Sequence, residues 1–145
     1  MMKQGFATAA LAAVLGLSAL NATTGALAAD GPKQKLVLQV SDNDPAKWNL
    51  ALNNARNVQT DLGKDKVEIE IVAYGPGLNM LKAESSVAAR LAGAIDNNIG
   101  LMACENTMHN TKTTKDQMYS GIGYVQAGVT HIMKRQSEGW SYVRP

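Results

Sequence analysis

Cys104 is the single cysteine of the 145-residue chain, and its thiol is the side chain best suited to chemistry. A thiol becomes a nucleophile once it loses its proton, and nearby N–H donors or a helix start favour that loss. The polar segment from Glu105 to Thr113 follows directly and could supply such donors, although the charge of Glu105 would oppose ionisation. Packing as a small buried side chain is the alternative role of such a cysteine.

Three soft-metal ligand types occur close together at Cys104, Met108 and His109. Thiolate, thioether and imidazole together suit Cu(I). The chain contains seven methionines, however, so this spacing is also expected by chance. No metal ligand is assigned on this basis.

Other polar groups are expected near Cys104 because they also follow predicted strands. Asp42 and Asp44 come after the first strand, and Tyr74 with the turn Gly75–Gly77 comes after the second. Ligands bind beyond the carboxyl ends of parallel strands, so Asp42 and Tyr74 are candidate ligand-binding residues. The plain alternatives are helix capping by Asp44 and a tight turn at the glycines.

Common catalytic loops are missing from the sequence. It has no G-x-S-x-G nucleophile elbow, no G-x-G-x-x-G after a strand and no G-x-x-x-x-G-K-[ST] phosphate loop. Hydrolysis through a nucleophile elbow and nucleotide binding through these loops are therefore not predicted.

Strand and helix patterns alternate along the chain. The predicted strands are Lys35–Ser41, Lys66–Tyr74, Ile99–Cys104, Tyr124–Gln126 and Trp140–Val143, and the main helices are Pro45–Leu62, Ser86–Asn97 and Ala127–Gln136. Glu68 and Glu70 alternate with apolar residues, which predicts a half-exposed second strand near a sheet edge. The order predicts a single α/β domain with a mostly parallel sheet of about five strands and helices on both faces.

Residues 1–29 have the layout of a cleaved secretory signal. Lys3 precedes an uncharged apolar stretch, and Ala26-Leu27-Ala28 offers small residues for cleavage. That stretch, roughly 15 residues, is shorter than the roughly 20 that cross a bilayer. We therefore expect a periplasmic domain at residues 30–145, with no membrane attachment after cleavage.

The charge balance excludes strongly basic classes of protein. The chain has 14 basic and 12 acidic residues, and the signal would remove only Lys3 from either set. Without a cluster of basic residues, nucleic acid is not an expected partner. An exported chain with one cysteine also forms no internal disulfide.

Four segments of the chain resemble a known family: KLVLQVSDND from Lys35, VEIEIVAYGPGL from Val67, GLMACENTM from Gly100 and AGVTHIMKRQSEGWSYVRP from Ala127. The most specific pieces are A-C-x-N-T-M at Ala103–Met108 and G-V-x(8)-E-G-W-x-Y at Gly128–Tyr142. On these segments the chain resembles the exported branch of the DsrE/DsrF-like family.

This resemblance implies a flavodoxin-like fold that assembles into homo-oligomers, commonly trimers or hexamers. In cytoplasmic relay members, a cysteine at the end of the matching strand carries a persulfide, and Cys104 corresponds to it by position. The leading hypothesis is a sulfur carrier without a cofactor, in which Cys104 holds sulfane sulfur and Asn106 and Thr107 donate hydrogen bonds to it. Its partner would be a sulfur donor or acceptor protein.

The alternative hypothesis is a non-enzymatic oligomeric binding module. It would use the crevice around Asp42, Tyr74 and Met108 for a small ligand or Cu(I).

Overall fold

The computed structural model describes residues 31–145, so the predicted signal lies outside the described residues. Strands and helices alternate as expected. Their bounds are β1 Gln34–Val40, α1 Pro45–Leu62, β2 Val67–Ala73, a 3₁₀ helix Gly75–Leu81, α2 Ala88–Asp96, β3 Ile99–Cys104, α3 Glu105–Asn110, a 3₁₀ turn Lys115–Gln117, β4 Gly123–Val125, α4 Gly128–Ser137 and β5 Ser141–Val143.

All five strands are parallel, and their order across the sheet is β4-β3-β2-β1-β5. From β1 to β4 each strand is added on the same side of the previous one. The connection through α4 then returns across the whole sheet and places β5 beside β1. The predicted α/β fold class is confirmed.

The two faces of the sheet are covered unequally. A large apolar core lies under α1 and α2, with Leu38, Ile71 and Leu101 at its centre. Helix α4 packs on the other face and covers a smaller core. The buried residues of this core are Val37, Val72, Ile132 and Trp140. Burying each large apolar side chain stabilises the fold by about 1.5–3 kcal/mol, so most of this stabilisation comes from the α1 side.

Helix α1 starts and ends as its sequence predicts. The Asp44 carboxylate accepts a hydrogen bond of 2.8 Å from the Ala46 N–H, and Pro45 occupies the first turn. Gly63 follows the helix with φ +94°, a backbone region that favours glycine. These caps fix the start of α1 at the carboxyl edge of the sheet.

The prediction for β2 is wrong in one respect, because β2 is the central strand and not an edge strand. Glu68 is exposed, but Glu70 is only 5% exposed under α4. Alternating polarity showed correctly that one face of β2 carries charge. It did not show that a helix bearing opposite charges would cover part of that face.

Two local predictions also need correction. Helix α2 begins at Ala88 and not at the predicted Ser86, and the Ser85 hydroxyl accepts a weak 3.4 Å hydrogen bond from the Val87 N–H before it. The polar segment after Cys104 is not all loop, since its first part forms α3. Within residues 31–145, none of the helices combines the length and apolar character needed to span a membrane.

Candidate functional site at Cys104

Cys104 is the last residue of β3, where the connections after neighbouring strands lead to opposite faces of the sheet. The loop after β3 leads to α3, whereas the loop after the neighbouring β4 leads to α4 on the other face. Cys104 is level with Val125 at the end of β4. Adjacent loops that leave a parallel sheet in opposite directions open a crevice, and ligands of such folds bind there.

The Cys104 sulfur lies at the starts of two helices. Cys104 is the N-cap residue of α3, and its Sγ accepts a hydrogen bond from the Gly128 N–H, the first of α4, at 3.3 Å. The N-cap residue of α4, Ala127, has no side chain able to cap the helix, so the sulfur takes that place. Both helix starts favour negative charge on the sulfur.

Thr107 is a further residue that favours ionisation of the Cys104 thiol. Its hydroxyl oxygen accepts from the Gly75 N–H at 2.9 Å, which leaves the hydroxyl hydrogen free for Sγ. The Thr107 hydroxyl and the backbone N–H groups of Thr107 and Asn106 all favour the thiolate. That Asn106 and Thr107 donate to the sulfur stays a prediction, and Asn106 acts on the pKa through its backbone and not its side chain.

The balance of these effects lowers the pKa of Cys104. Burial is the largest single effect and raises the pKa, because the residue is only 4% exposed. The hydrogen bonds from Thr107, Gly128 and Asn106 together outweigh it. The carboxylate of Glu105 is paired with Lys115 at 3.3 Å, which reduces its opposition to a neighbouring negative charge.

Asn106 and Gln126 join the two sides of the crevice. The Asn106 N–H donates to the Gln126 carbonyl oxygen at 3.1 Å, and the Gln126 side-chain amide donates to Asn106 Oδ1 at 2.9 Å. The same carbonyl oxygen lies 4.0 Å from Cys104 Sγ. Both residues are exposed, and they directly follow the paired strand ends Cys104 and Val125.

Comparison with solved structures identifies relatives of this fold. MTH1491 from Methanobacterium thermoautotrophicum, a protein of unknown function, is 33% identical and superposes with a TM-score of 0.75, covering 78% of this chain and 100% of its own. This chain belongs to the DsrE-like fold family. The ychN protein from E. coli shares the fold at 9% identity and a TM-score of 0.55, covering 78% of this chain and 97% of its own. No family model and no curated protein matches the chain.

Tyr74 lies next to Gly128, the donor to the Cys104 sulfur, in this DsrE-like chain. It follows β2, the strand next to β3, and its side chain packs against Gly128, where an added Cβ would lie 3.0 Å from the Tyr74 Cβ. Burial, together with Tyr142, raises the pKa of the Tyr74 phenol. Gly128 therefore permits close packing of α4 on Tyr74 while it donates to the sulfur.

Asp42 is not brought to the sulfur. It follows β1, two strands from β3 and about 10 Å away across the sheet. Its carboxylate pairs with Lys47 at 3.1 Å and Arg144 at 3.2 Å, and hydrogen bonds from both lower its pKa. The Asp42 carboxylate of this chain joins α1 to the residue after β5, so the prediction that Asp42 lines a ligand crevice at Cys104 is corrected.

The prediction that Met108 lines the ligand crevice is also corrected. It is 5% exposed and packs in the large core, because α3 turns its apolar side toward the sheet. His109 is exposed on α3, so Cys104, Met108 and His109 do not converge on one point. Among residues 31–145, no group of three or more His, Cys, Asp or Glu side chains forms a metal-ligand set.

Sequence reasoning missed two parts of the site. Gly128 was identified only as part of a motif, and Gln126 was read only as a strand residue. Their contacts with the loop after Cys104 depend on the pairing of β3 with β4, which no local pattern specifies. The glycine directly at the start of the last helix was the available signal, since glycine allows close approach of backbone groups.

Proposed function

We propose that this protein accepts and holds sulfane sulfur as a persulfide on Cys104. The observation that carries the proposal is the convergence of two helix starts and the Thr107 donors on one thiol of lowered pKa. This arrangement favours ionisation of the thiol, and the thiolate is the nucleophilic form of cysteine. The DsrE-like fold supports the same reading.

The chemistry requires no outside oxidant. The Cys104 thiolate attacks the outer sulfur of a polysulfide or persulfide, a new S–S bond forms, and the donor's S–S bond breaks. The donor leaves as a thiolate with the electron pair. An acceptor thiolate then attacks the outer sulfur of the Cys104 persulfide and regenerates the Cys104 thiolate.

Burial sets the condition for this transfer. At 4% exposure Cys104 is not open to a bulky donor, but polar donors surround its sulfur, so it is not sealed in hydrocarbon. We infer that access opens through the Asn106–Gln126 hydrogen bonds, because they lie at the exposed edge of the crevice. Each contributes about 0.5–1.5 kcal/mol, which is small enough for frequent opening.

Intact-mass measurement tests the proposal. After exposure to polysulfide, the folded protein should gain about 32 Da, the mass of one sulfur atom, and dithiothreitol should remove it. The Cys104→Ser variant should gain nothing. If the folded wild type gains no sulfur while its urea-unfolded form does, the native site excludes sulfur and the proposal is wrong.

A small-ligand binding module is the second candidate function. A groove of about 300 Å³ lies beside the site and shares only Thr107 with it; it is lined by Gly75, Pro76, Leu78, Asn79, Thr107, Asn110 and Thr111. None of these side chains is charged, so the groove suits a small neutral ligand. Absence of the sulfur adduct would favour this function.

Two further parts of the proposal concern location and assembly. A cleaved signal at residues 1–29 would place the protein in the periplasm, and a mature N-terminus near Ala29 or Asp30 in the periplasmic fraction would support this. Assembly into a homo-oligomer is supported by the exposed apolar side chains of α4, Val129 and Met133. A sulfur donor or acceptor protein is the expected partner.

A further inference from the structure

Glu70 is a buried charged residue in the middle of the sheet. It lies on β2, the central strand, and is 5% exposed. The neighbouring Gly100 on β3 leaves room for it, since a Cβ there would lie 3.1 Å from the Glu70 Cγ. A carboxylate in this position is costly unless its charge is compensated.

The compensation comes from α4. Arg135 binds both carboxylate oxygens, with Nη2 2.6 Å from Oε1 and Nε 3.0 Å from Oε2, and His131 Nε2 lies 2.7 Å from Oε2. Arg135 also binds Glu138 at 2.8 Å and lies 4.7 Å from the centre of the Trp140 ring. Glu70 thus attaches one helix to the central strand through two side chains.

Helix α4 has few other strong attachments. Its apolar contacts with the sheet centre on Ile132, whereas Val129 and Met133 are 52% and 63% exposed. His131 lies one helical turn after Gly128, whose N–H contacts the Cys104 sulfur. A displacement of α4 at His131 and Arg135 would therefore move the Gly128 N–H.

We propose that Glu70 is a positioning residue for Cys104: by holding His131 and Arg135, it fixes α4 so that the Gly128 N–H stays on the sulfur. This role concerns formation of the thiolate, and it goes beyond sulfur binding. It holds whether or not Cys104 carries a persulfide.

The test is the pH titration of the Cys104 thiolate, followed by ultraviolet absorbance as the difference between each variant and the same variant with Cys104→Ser. Glu70→Gln should raise the thiol pKa by about one unit. At any pH below the wild-type thiol pKa, the variant should then hold about tenfold less thiolate than the wild type. Simple removal of a nearby negative charge would lower the thiol pKa instead. The sign of the change therefore separates positioning from direct electrostatics.

Glu138→Gln is the matched control, because it removes the exposed carboxylate partner of Arg135 and leaves Glu70 in place. Its thiol pKa should equal that of the wild type. Arg135→Lys is a milder second variant, since lysine keeps the charge but cannot bind both oxygens in the same way. It should raise the thiol pKa by a smaller amount.

An unchanged or lowered thiol pKa in folded Glu70→Gln would overturn the proposal. If Glu70→Gln does not fold, an unchanged pKa in folded Arg135→Lys would overturn it equally. Neither result depends on polysulfide, so failure of the sulfur-carrier function and failure of the positioning role are distinguished.

Discussion

The Cys104 thiol owes its properties to donors that reach a buried sulfur. Burial alone would raise the pKa of the thiol, and the hydrogen bonds led by those of Thr107 and Gly128 bring it below its ordinary value. Hydrogen bonds to a charged group contribute about 1.5–3 kcal/mol, enough to exceed a moderate desolvation cost. Reactivity at this position is therefore decided by individual donors.

Removing the Thr107 hydroxyl tests this balance. Thr107→Val keeps the shape of the side chain but loses the donor, so the pKa of Cys104 should rise by about one unit or more. The measurement is the thiolate absorbance titration against Cys104→Ser. Thr111→Val is the control, because its hydroxyl donates to the Thr107 carbonyl oxygen and not to the sulfur; equal pKa changes in both variants would contradict the assignment.

Gly128 provides a second test at the residue scale. An added Cβ in Gly128→Ala meets the Tyr74 side chain at 3.0 Å, so either Tyr74 or the start of α4 must shift. We expect a loss of about 1–3 kcal/mol in the free energy of unfolding, measured in urea, and a higher pKa for Cys104. Gly93→Ala on α2 meets nothing within 4 Å and should be neutral or stabilising. An unchanged stability for Gly128→Ala would show that α4 does not pack tightly on Tyr74.

At the scale of elements, α4 differs from α1 in how it is attached. Helix α1 buries Trp48, Ala51, Leu52 and Ala55 against the large core, whereas α4 buries mainly Ile132 and relies on its charged pairs with Glu70. Apolar packing does not depend on pH, but a carboxylate pair does. The stability of α4 should therefore be the more sensitive to acid.

The acid dependence follows from the pKa of Glu70. Burial acts to raise this pKa, but the hydrogen bonds from Arg135 and His131 outweigh it and hold the pKa below its ordinary value. Because the folded pKa is depressed, the stabilisation is fully present above the unfolded value of about 4.5 and is lost as pH falls through the folded pKa.

Urea unfolding of wild type and Glu70→Gln should reveal this window. At neutral pH the free energy of unfolding of the variant should be lower by about 2–3 kcal/mol. This loss is smaller than that for a fully buried ion pair, because Arg135 still binds Glu138 in the variant. The difference should shrink as the pH falls below about 4.5. A difference that stays constant down to pH about 3 would mean that the charge of Glu70 contributes nothing.

At the scale of the whole molecule, the two faces of the sheet are unequal. Within residues 31–145, one face is covered by α1 and α2, and the other by α4. Exposed apolar side chains lie on the face covered by α4 and on the neighbouring edge strand β5. They are Val129 and Met133 of α4 and Tyr142 and Val143 of β5. Such exposure suits contact with another protomer.

Solution mass tests this assembly. Light scattering on the chain without residues 1–29 should give a mass of several protomers, and Met133→Lys should lower it because a charge would enter the apolar contact. Leu50→Lys is the control; Leu50 is also exposed but lies on α1. A monomeric wild type, or equal effects of both substitutions, would rule out an assembly through α4.

Local sequence patterns determined the order and type of the five strands and the three main helices, and the place of Cys104 at a strand end. Apolar runs at β1 and β3 and the caps of α1 act within a few residues of one another, so their physics is visible in sequence. Polarity alternation along β2 likewise gave the two faces of that strand. It could not give the strand's position in the sheet.

Only the tertiary structure decided what surrounds the sulfur and what holds α4. The Gly128 donor is 24 positions from Cys104, and the partners of Glu70 are 61 and 65 positions away. These contacts arise because β4 pairs with β3 while α4 returns across the sheet to β1 and β5. Sequence periodicity reports which side of an element is buried, whereas the choice between competing strand orders depends on packing between distant segments.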